Sequence, residues 1–263
     1  MDTKPFFSGL DENAVTITRV ADRQWHALDD DRVVGRGFAE HRPDGRLFAS
    51  IDAWHDSTFD RLAGAMVAAL PTPLYTVTDE ADTELTSAWQ RAGFTIRRRE
   101  WEYAVPTDPR VTGLEETPLP PGLTIVPAGQ ADERLLRAVD RAIRDEIEAT
   151  VGWQSMPAEV IGRPDGNTIV DPSKYAVAAA PDRYLGLIRV VTVNRPRIGL
   201  LAVRTDEQRR GIARALLAHA LGTLHRSGFA EAWTEVQEIN EAASALFAGI
   251  GSRAVASNLE LVR

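Results

Sequence analysis

The sequence predicts an α/β (α+β) protein built as two successive units, and three observations carry that expectation. Short apolar strand-like runs alternate with amphipathic segments of helical period in both halves of the chain. Residues 106–121 hold five prolines, which neither helices nor central strands tolerate, and so divide the halves. In the second half an apolar run at 198–203 passes through a polar turn and Gly211 into a helix at 212–224.

Taken in order, 15–20, 25–28, 32–41 and 46–53 read as strands, the last two joined by the turn Arg42-Pro43-Asp44-Gly45. Residues 58–70 follow as a helix capped by Asp56 or Ser57 and ended by Pro71 and Pro73. Next come a strand at 74–77, a helix at 79–92 and an extended strand pair at 94–105. After the linker the pattern restarts with a strand at 123–126, a long helix at 131–150, an irregular stretch at 151–172, and strands at 175–180 and 184–193. Beyond the turn at Gly211 lie a strand at 231–237, a helix at 241–248 and a last strand at 257–262.

Composition narrows the function. The chain has no Cys, which excludes disulfides, thiolate metal sites and an acyl-Cys intermediate. Its five His show no metal-ligand spacing, so no metal is expected. A net charge of -8 argues against general nucleic-acid binding and favours attraction of a cationic amine. No run of 18 apolar residues and no basic leader with an apolar core is present, so the expectation is a cytoplasmic protein without a membrane span.

The stretch from Ile198 to Arg214 has the chemistry of an anion cradle. A helix start leaves N–H groups unpaired and carries partial positive charge, and Gly211 lets an anion approach without meeting a Cβ. Six arginines (195, 197, 204, 209, 210 and 214) stand near it against Asp206 and Glu207. Neither a Walker loop nor a dinucleotide fingerprint is present there.

The pattern Gln208-x-x-Gly211-x-Ala213 between strand and helix resembles the acyl-CoA signature of the GCN5-related N-acetyltransferases, the GNAT family. The later segment beginning Asn240-Glu241-Ala242-Ala243 and ending Leu246-Phe247 is similar to the family's Asn-containing helix. The resemblance implies two tandem GNAT-like domains, each a mixed, mostly antiparallel central sheet flanked by helices. Residues 1–105 would form a degenerate copy, since the turn between Ala53 and Leu62 lacks a Gly, with an unrelated α+β domain as the other reading. Residues 106–121 would be the linker and 122–263 the catalytic domain.

It also implies acetyl-CoA as cofactor, held by the backbone of Leu201, Ala202 and Val203 and by Gln208, Arg209, Arg210, Gly211, Ile212 and Ala213. Asn240 would contact the CoA arm, cap its helix, or do both. Phe247 lies beside the cofactor, where many members carry a Tyr that protonates the leaving thiolate, and Phe has no proton to give. A thiol of pKa about 8.5 can depart as thiolate without help.

Glu235 is the candidate general base, placed on one strand face with Trp233 and Gln237, and a surface Glu is the other reading. Trp153 falls in the family's acceptor segment, as a cation-binding face or as core. Asp145, Glu146 and Glu148 read as solvated. The expected activity is acetyl transfer to a primary amine of a small molecule by direct attack in a ternary complex, in a monomer. The alternative is an acyl-CoA sensor without catalysis.

Overall fold

Alternating strand and helix periods become, in the computed structural model, twelve strands and six helices among the described residues, which are 15–42, 44–115, 117–150, 152 and 170–263. Two compact units divide them. The first comprises residues up to Arg97 together with Leu259–Arg263, and the second spans Arg98–Asn258.

The first unit contains β1 (Thr16–Ala21), β2 (Gln24–Asp29), β3 (Arg32–His41), β4 (Leu47–Ala53), helix α1 (Asp56–Ala69), β5 (Leu74–Asp79) and helix α2 (Thr83–Arg91). Strands β1 to β4 form an antiparallel meander, and β4 meets β5 in parallel at only Leu47↔Leu74 and Phe48↔Tyr75. Trp25, Leu62, Met66, Leu74, Trp89 and Phe94 fill the core between strands and helices. Trp89 meets Phe59 and Phe94 edge-on at centroid distances of 5.1 and 4.8 Å. Asp82 caps α2 by accepting from the Leu85 N–H, three residues beyond the expected start at 79. The N-cap of α1 is His55, which makes no side-chain cap, rather than Asp56 or Ser57.

Strand β6 (Thr95–Pro106) is one continuous strand where a pair was expected, and its residues from Arg98 onward belong to the second unit. There follow helix α3 (Pro109–Thr112), β7 (Thr124–Val126), helix α4 (Glu133–Glu148), β8 (Tyr175–Ala179), β9 (Tyr184–Val191) and β10 (Arg197–Val203). The unit continues with helix α5 (Ile212–Arg226), β11 (Glu231–Gln237), helix α6 (Glu241–Ala248) and most of β12 (Arg253–Val262). Its strand order is β6-β11-β10-β9-β8-β7, antiparallel throughout except β10 with β11. Helix α5 buries Ile212, Leu216, Leu217 and Leu221 on one sheet face, and α4 buries Leu136, Val139 and Ile143 on the other.

Two expectations about the boundary differ from this arrangement. The start of the 106–121 segment is not a free linker, because Thr107 donates its N–H to Ala230 O at 3.1 Å and Leu114 is buried in the second unit's core. The chain's last five residues belong to the first unit, where Leu74 and Arg263 exchange backbone hydrogen bonds of 3.0 and 2.9 Å. Glu260, buried there, ion-pairs with Arg46 at 3.2 Å and with Arg97. Backbone pairing and a buried carboxylate with two cations outweigh proximity in sequence.

Candidate functional site

Strands β10 and β11 pair at Arg197↔Trp233 and Ile198↔Thr234 and then part. Thr234 Oγ1 donates to Ile198 O at 3.1 Å at the point of departure. The separation has a local cause: β10 shifts register against β9 between Ile198 and Leu200, a bulge that bends the strand. Beyond it β10 keeps β9, to Val203↔Gly186, while β11 keeps β6 as far as Gln237↔Glu100.

Arg204 N–H donates to Leu185 O at 2.9 Å, which sets the alternation. The backbone N–H groups of Leu201 and Val203 therefore turn away from β9 toward the open edge. Gly186 makes this close pairing possible, since a Cβ there would lie 3.0 Å from Ala202 O and 3.1 Å from Val203 Cγ2.

The turn after β10 is pinned from three directions. Glu146, near the end of α4, ion-pairs with Arg204 Nε and accepts from Thr205 N–H at 2.8 Å and from Thr205 Oγ1 at 2.9 Å. Glu207 is buried and bridges Arg183, at 2.9 Å, and Arg210. Gln208 Nε2 donates to Val203 O at 3.3 Å. Burial pushes the Glu146 carboxyl up, but hydrogen bonds from Arg204 and Thr205 outweigh it and hold it below the ordinary Glu value. Glu146 is thus a structural ion and not the solvated residue expected.

Arg209 and Gly211, at φ 63° and 85°, are both left-handed, and Gly211 is the N-cap of α5 without any side-chain cap. No acidic residue stands in the helix's first turn, and a Cβ on Gly211 would meet nothing within 4 Å. The first N–H groups of α5, including those of Ile212 and Ala213, thus begin beneath open space with the partial positive end of the helix dipole. That geometry leaves room and unpaired donors for an anion.

The count of six cations against two does not survive folding. Arg195 pairs with Glu102 and stacks over Trp233 at 4.0 Å, Arg197 pairs with Glu235 at 2.6 Å, Arg204 with Glu146 and Arg210 with Glu207. Arg209 and Arg214 have no acidic partner among the described residues, and both sit at the helix start. The local positive charge is smaller than the sequence count but is concentrated where the N–H groups are.

Glu235 lies on β11 with its cross-strand partner Glu102 on β6, on the face opposite α5. Its carboxylate accepts from Arg197 Nη2 at 2.6 Å, which fixes its direction. Asn240 caps α6 by accepting from Ala243 N–H at 3.1 Å, so the capping role is in place. Phe247 is buried and stacks on Tyr103 at 6.2 Å between centroids, its ring facing core rather than water. Trp153 lies outside the described residues.

The first unit repeats the parting strands at β4 and β5 without the cradle. Its helix α1 has the extended His55, at φ -139°, as N-cap, carries Asp56 in the first turn, and has no glycine at the turn. Negative charge at a helix start disfavours an anion there.

Comparison with known proteins agrees with this geometry. Residues 141–251 match the acetyltransferase (GNAT) family. Over 64 residues the chain is 39% identical to the ribosomal protein bS18 alanine N-acetyltransferase of Escherichia coli, covering 24% of this chain and 43% of that protein. A Salmonella typhimurium protein of the same description is 38% identical over 73 residues, covering 27% of this chain and 49% of that protein. The chain thus spans less than half the length of these curated relatives.

Among solved structures, a GCN5-related N-acetyltransferase from Sphaerobacter thermophilus superposes with a TM-score of 0.61 at 17% identity, over 94% of this chain and 82% of that one. A tandem GNAT protein from the clavulanic acid biosynthesis pathway gives 0.63 at 14% identity, over 95% and 83%. At such identities the likeness is one of fold. The segment 141–251, which holds the strand, turn and helix described above, is thus similar to the acetyltransferase (GNAT) family.

Proposed function

We propose that the second unit is an acetyl-CoA-dependent N-acetyltransferase acting on a primary amine of a small molecule, and that the first unit is a degenerate copy without a cofactor. The observation that carries the reading is the open edge of β10 ending at an uncapped helix start. An extended pantetheine arm can pair with the N–H and C=O groups of Leu201 and Val203, and the pyrophosphate can sit on the first N–H groups of α5 beside Arg209 and Arg214. An N–H of the same edge donates to the thioester carbonyl, where charge grows as the amine attacks.

In this reading Glu235 takes the amine's proton, directly or through one water, while Arg197 holds the carboxylate in position. Transfer is direct, from thioester to amine, because the chain has no Cys to carry the acyl group. The thiolate leaves unassisted, since Phe247 supplies no proton.

Phe247 also favours a second reading, an acyl-CoA sensor without turnover. The two separate by following free thiol while acetyl-CoA is incubated with a panel of primary amines. An enzyme releases CoA with at least one amine above the amine-free rate. A sensor binds acetyl-CoA and releases none.

A further inference from the structure

The sheet face beneath α4 carries a row of polar side chains that the reaction as described does not use. Tyr175 on β8 and Arg189 on β9 are cross-strand partners, and Arg189 in turn faces Leu200 on β10. The guanidinium of Arg189 lies on the bulge of β10, where a Cβ on Gly199 would come within 2.7 Å of its Nη1. That is the place where β10 and β11 begin to part.

Other cations of this region are matched: Arg144 with Asp140 at 2.7 Å, Arg197 with Glu235, Arg195 with Glu102, and Arg204 with Glu146. Arg189 has no acidic partner among the described residues, although it is partly buried and flanked by the buried Tyr175 and Leu200. Burial raises the pKa of the Tyr175 hydroxyl, so it stays neutral and does not balance the cation.

A half-buried guanidinium without a counterion loses hydration and gains nothing in return unless an anion arrives. We propose that Arg189 receives the carboxylate of the acceptor, so that the amine acetylated by this protein belongs to an amino acid. The inference rests on the acetyltransferase reading and names the substrate class of that same site.

The spacing suits it. Gly199 and Leu201 are two strand residues apart, about 7 Å along β10. An Arg–carboxylate hydrogen bond of about 2.8 Å followed by the two bonds from carboxyl carbon to amine spans most of that distance. The carboxylate would then rest at the bulge while the amine faces the thioester at the open edge, with Glu235 on the same sheet face. The overall acidity of the chain suggests a cationic amine, but the local charge at Arg189 selects a zwitterion.

The test uses the full chain loaded with CoA. Calorimetry measures binding of N-acetylated amino acids with small, apolar, basic and acidic side chains, each against its primary amide, to wild type, Arg189→Met and Arg189→Lys. The carboxylates are expected to bind at least tenfold more tightly than the amides in wild type, with the preference lost in Arg189→Met and partly kept in Arg189→Lys.

Equal affinities in wild type, no measurable binding of any carboxylate, or a preference that survives in Arg189→Met would overturn the proposal. Failure of CoA itself to bind wild type is a different outcome and overturns the acetyltransferase reading beneath it. Circular dichroism of the variants separates lost recognition from lost fold, and the wild-type comparison stands without either variant.

Discussion

Gly186→Ala tests whether the open edge of β10 depends on how tightly β9 holds it. The added Cβ would lie 3.0 Å from Ala202 O, 3.1 Å from Val203 Cγ2 and 3.4 Å from Ile212 Cγ2. The first contact is with backbone, which cannot rotate away, so β10 must shift by about 0.4 Å to restore ordinary contact near 3.4 Å. Overpacking of this kind costs about 1–3 kcal/mol. Replacing Gly by Ala returns about 0.5 kcal/mol through the unfolded chain. The net is a loss of about 0.5–2.5 kcal/mol, or about 1–10 °C in Tm for a unit of this size. Because the displaced atoms belong to Ala202 and Val203, affinity for acetyl-CoA should fall as well, by several-fold. Differential scanning calorimetry and titration of acetyl-CoA read the two effects. An unchanged Tm together with unchanged affinity would refute the claim that β9 sets the position of the edge.

Removing the pin at Glu146 with Glu146→Ala deletes three hydrogen bonds to the turn and should cost about 1–3 kcal/mol at neutral pH by denaturant titration. The folded carboxyl titrates below its ordinary value, so this contribution is full above the unfolded pKa of about 4.3 and fades as pH falls through the folded one. The gap between wild type and variant should therefore close in acid; a gap independent of pH would contradict the pairing. Glu235→Gln keeps the side chain's shape, and if Glu235 is the base it should lower kcat by about 10²–10⁴-fold while acetyl-CoA binds as before. An unchanged kcat removes it from that role. Gly222→Ala, within α5, adds a methyl whose one near neighbour is Arg226 Nη1 at 3.4 Å, and should stabilise by about 0.5–1 kcal/mol in thermal melts. A loss of stability there would mean that the helix packs more tightly than its geometry indicates.

Local patterns were legible where local forces decide. The span 32–41 for β3 and the whole of β11 and α6 follow the apolar periods of the sequence to the residue. The helix start at Gly211 is also local, because a Gly between a strand and an amphipathic helix signals a left-handed turn. What could not be read is charge pairing over distance. The partners of Arg195, Arg197 and Arg204 lie 93, 38 and 58 positions away, so the segment looked more cationic than it is.

Glu146 looked solvated for the same reason, since nothing in α4 reveals that its carboxylate meets the turn after β10. Arg189 carried no signal at all. An arginine inside an apolar strand gains meaning only when each neighbouring cation proves to have an acidic partner and it has none among the described residues. The last strand was expected at 257–262 and begins at Arg253, because exposed residues at its start blur the alternation. That its final residues belong to the first unit depends on Glu260 meeting Arg46 and Arg97, which lie 214 and 163 positions away.

The central claim is that the uncapped start of α5 binds the pyrophosphate of acetyl-CoA. Calorimetric titration of acetyl-CoA into wild type, Gly211→Asn and Gly211→Glu tests it most directly. Asn accepts the left-handed conformation at φ 85° better than most residues and brings no charge, whereas Glu sets a carboxylate in the open space above the helix start. Binding to wild type, kept in large part by Gly211→Asn and abolished in Gly211→Glu, is the expected result. No binding to wild type, or equal binding to Gly211→Glu, would contradict it.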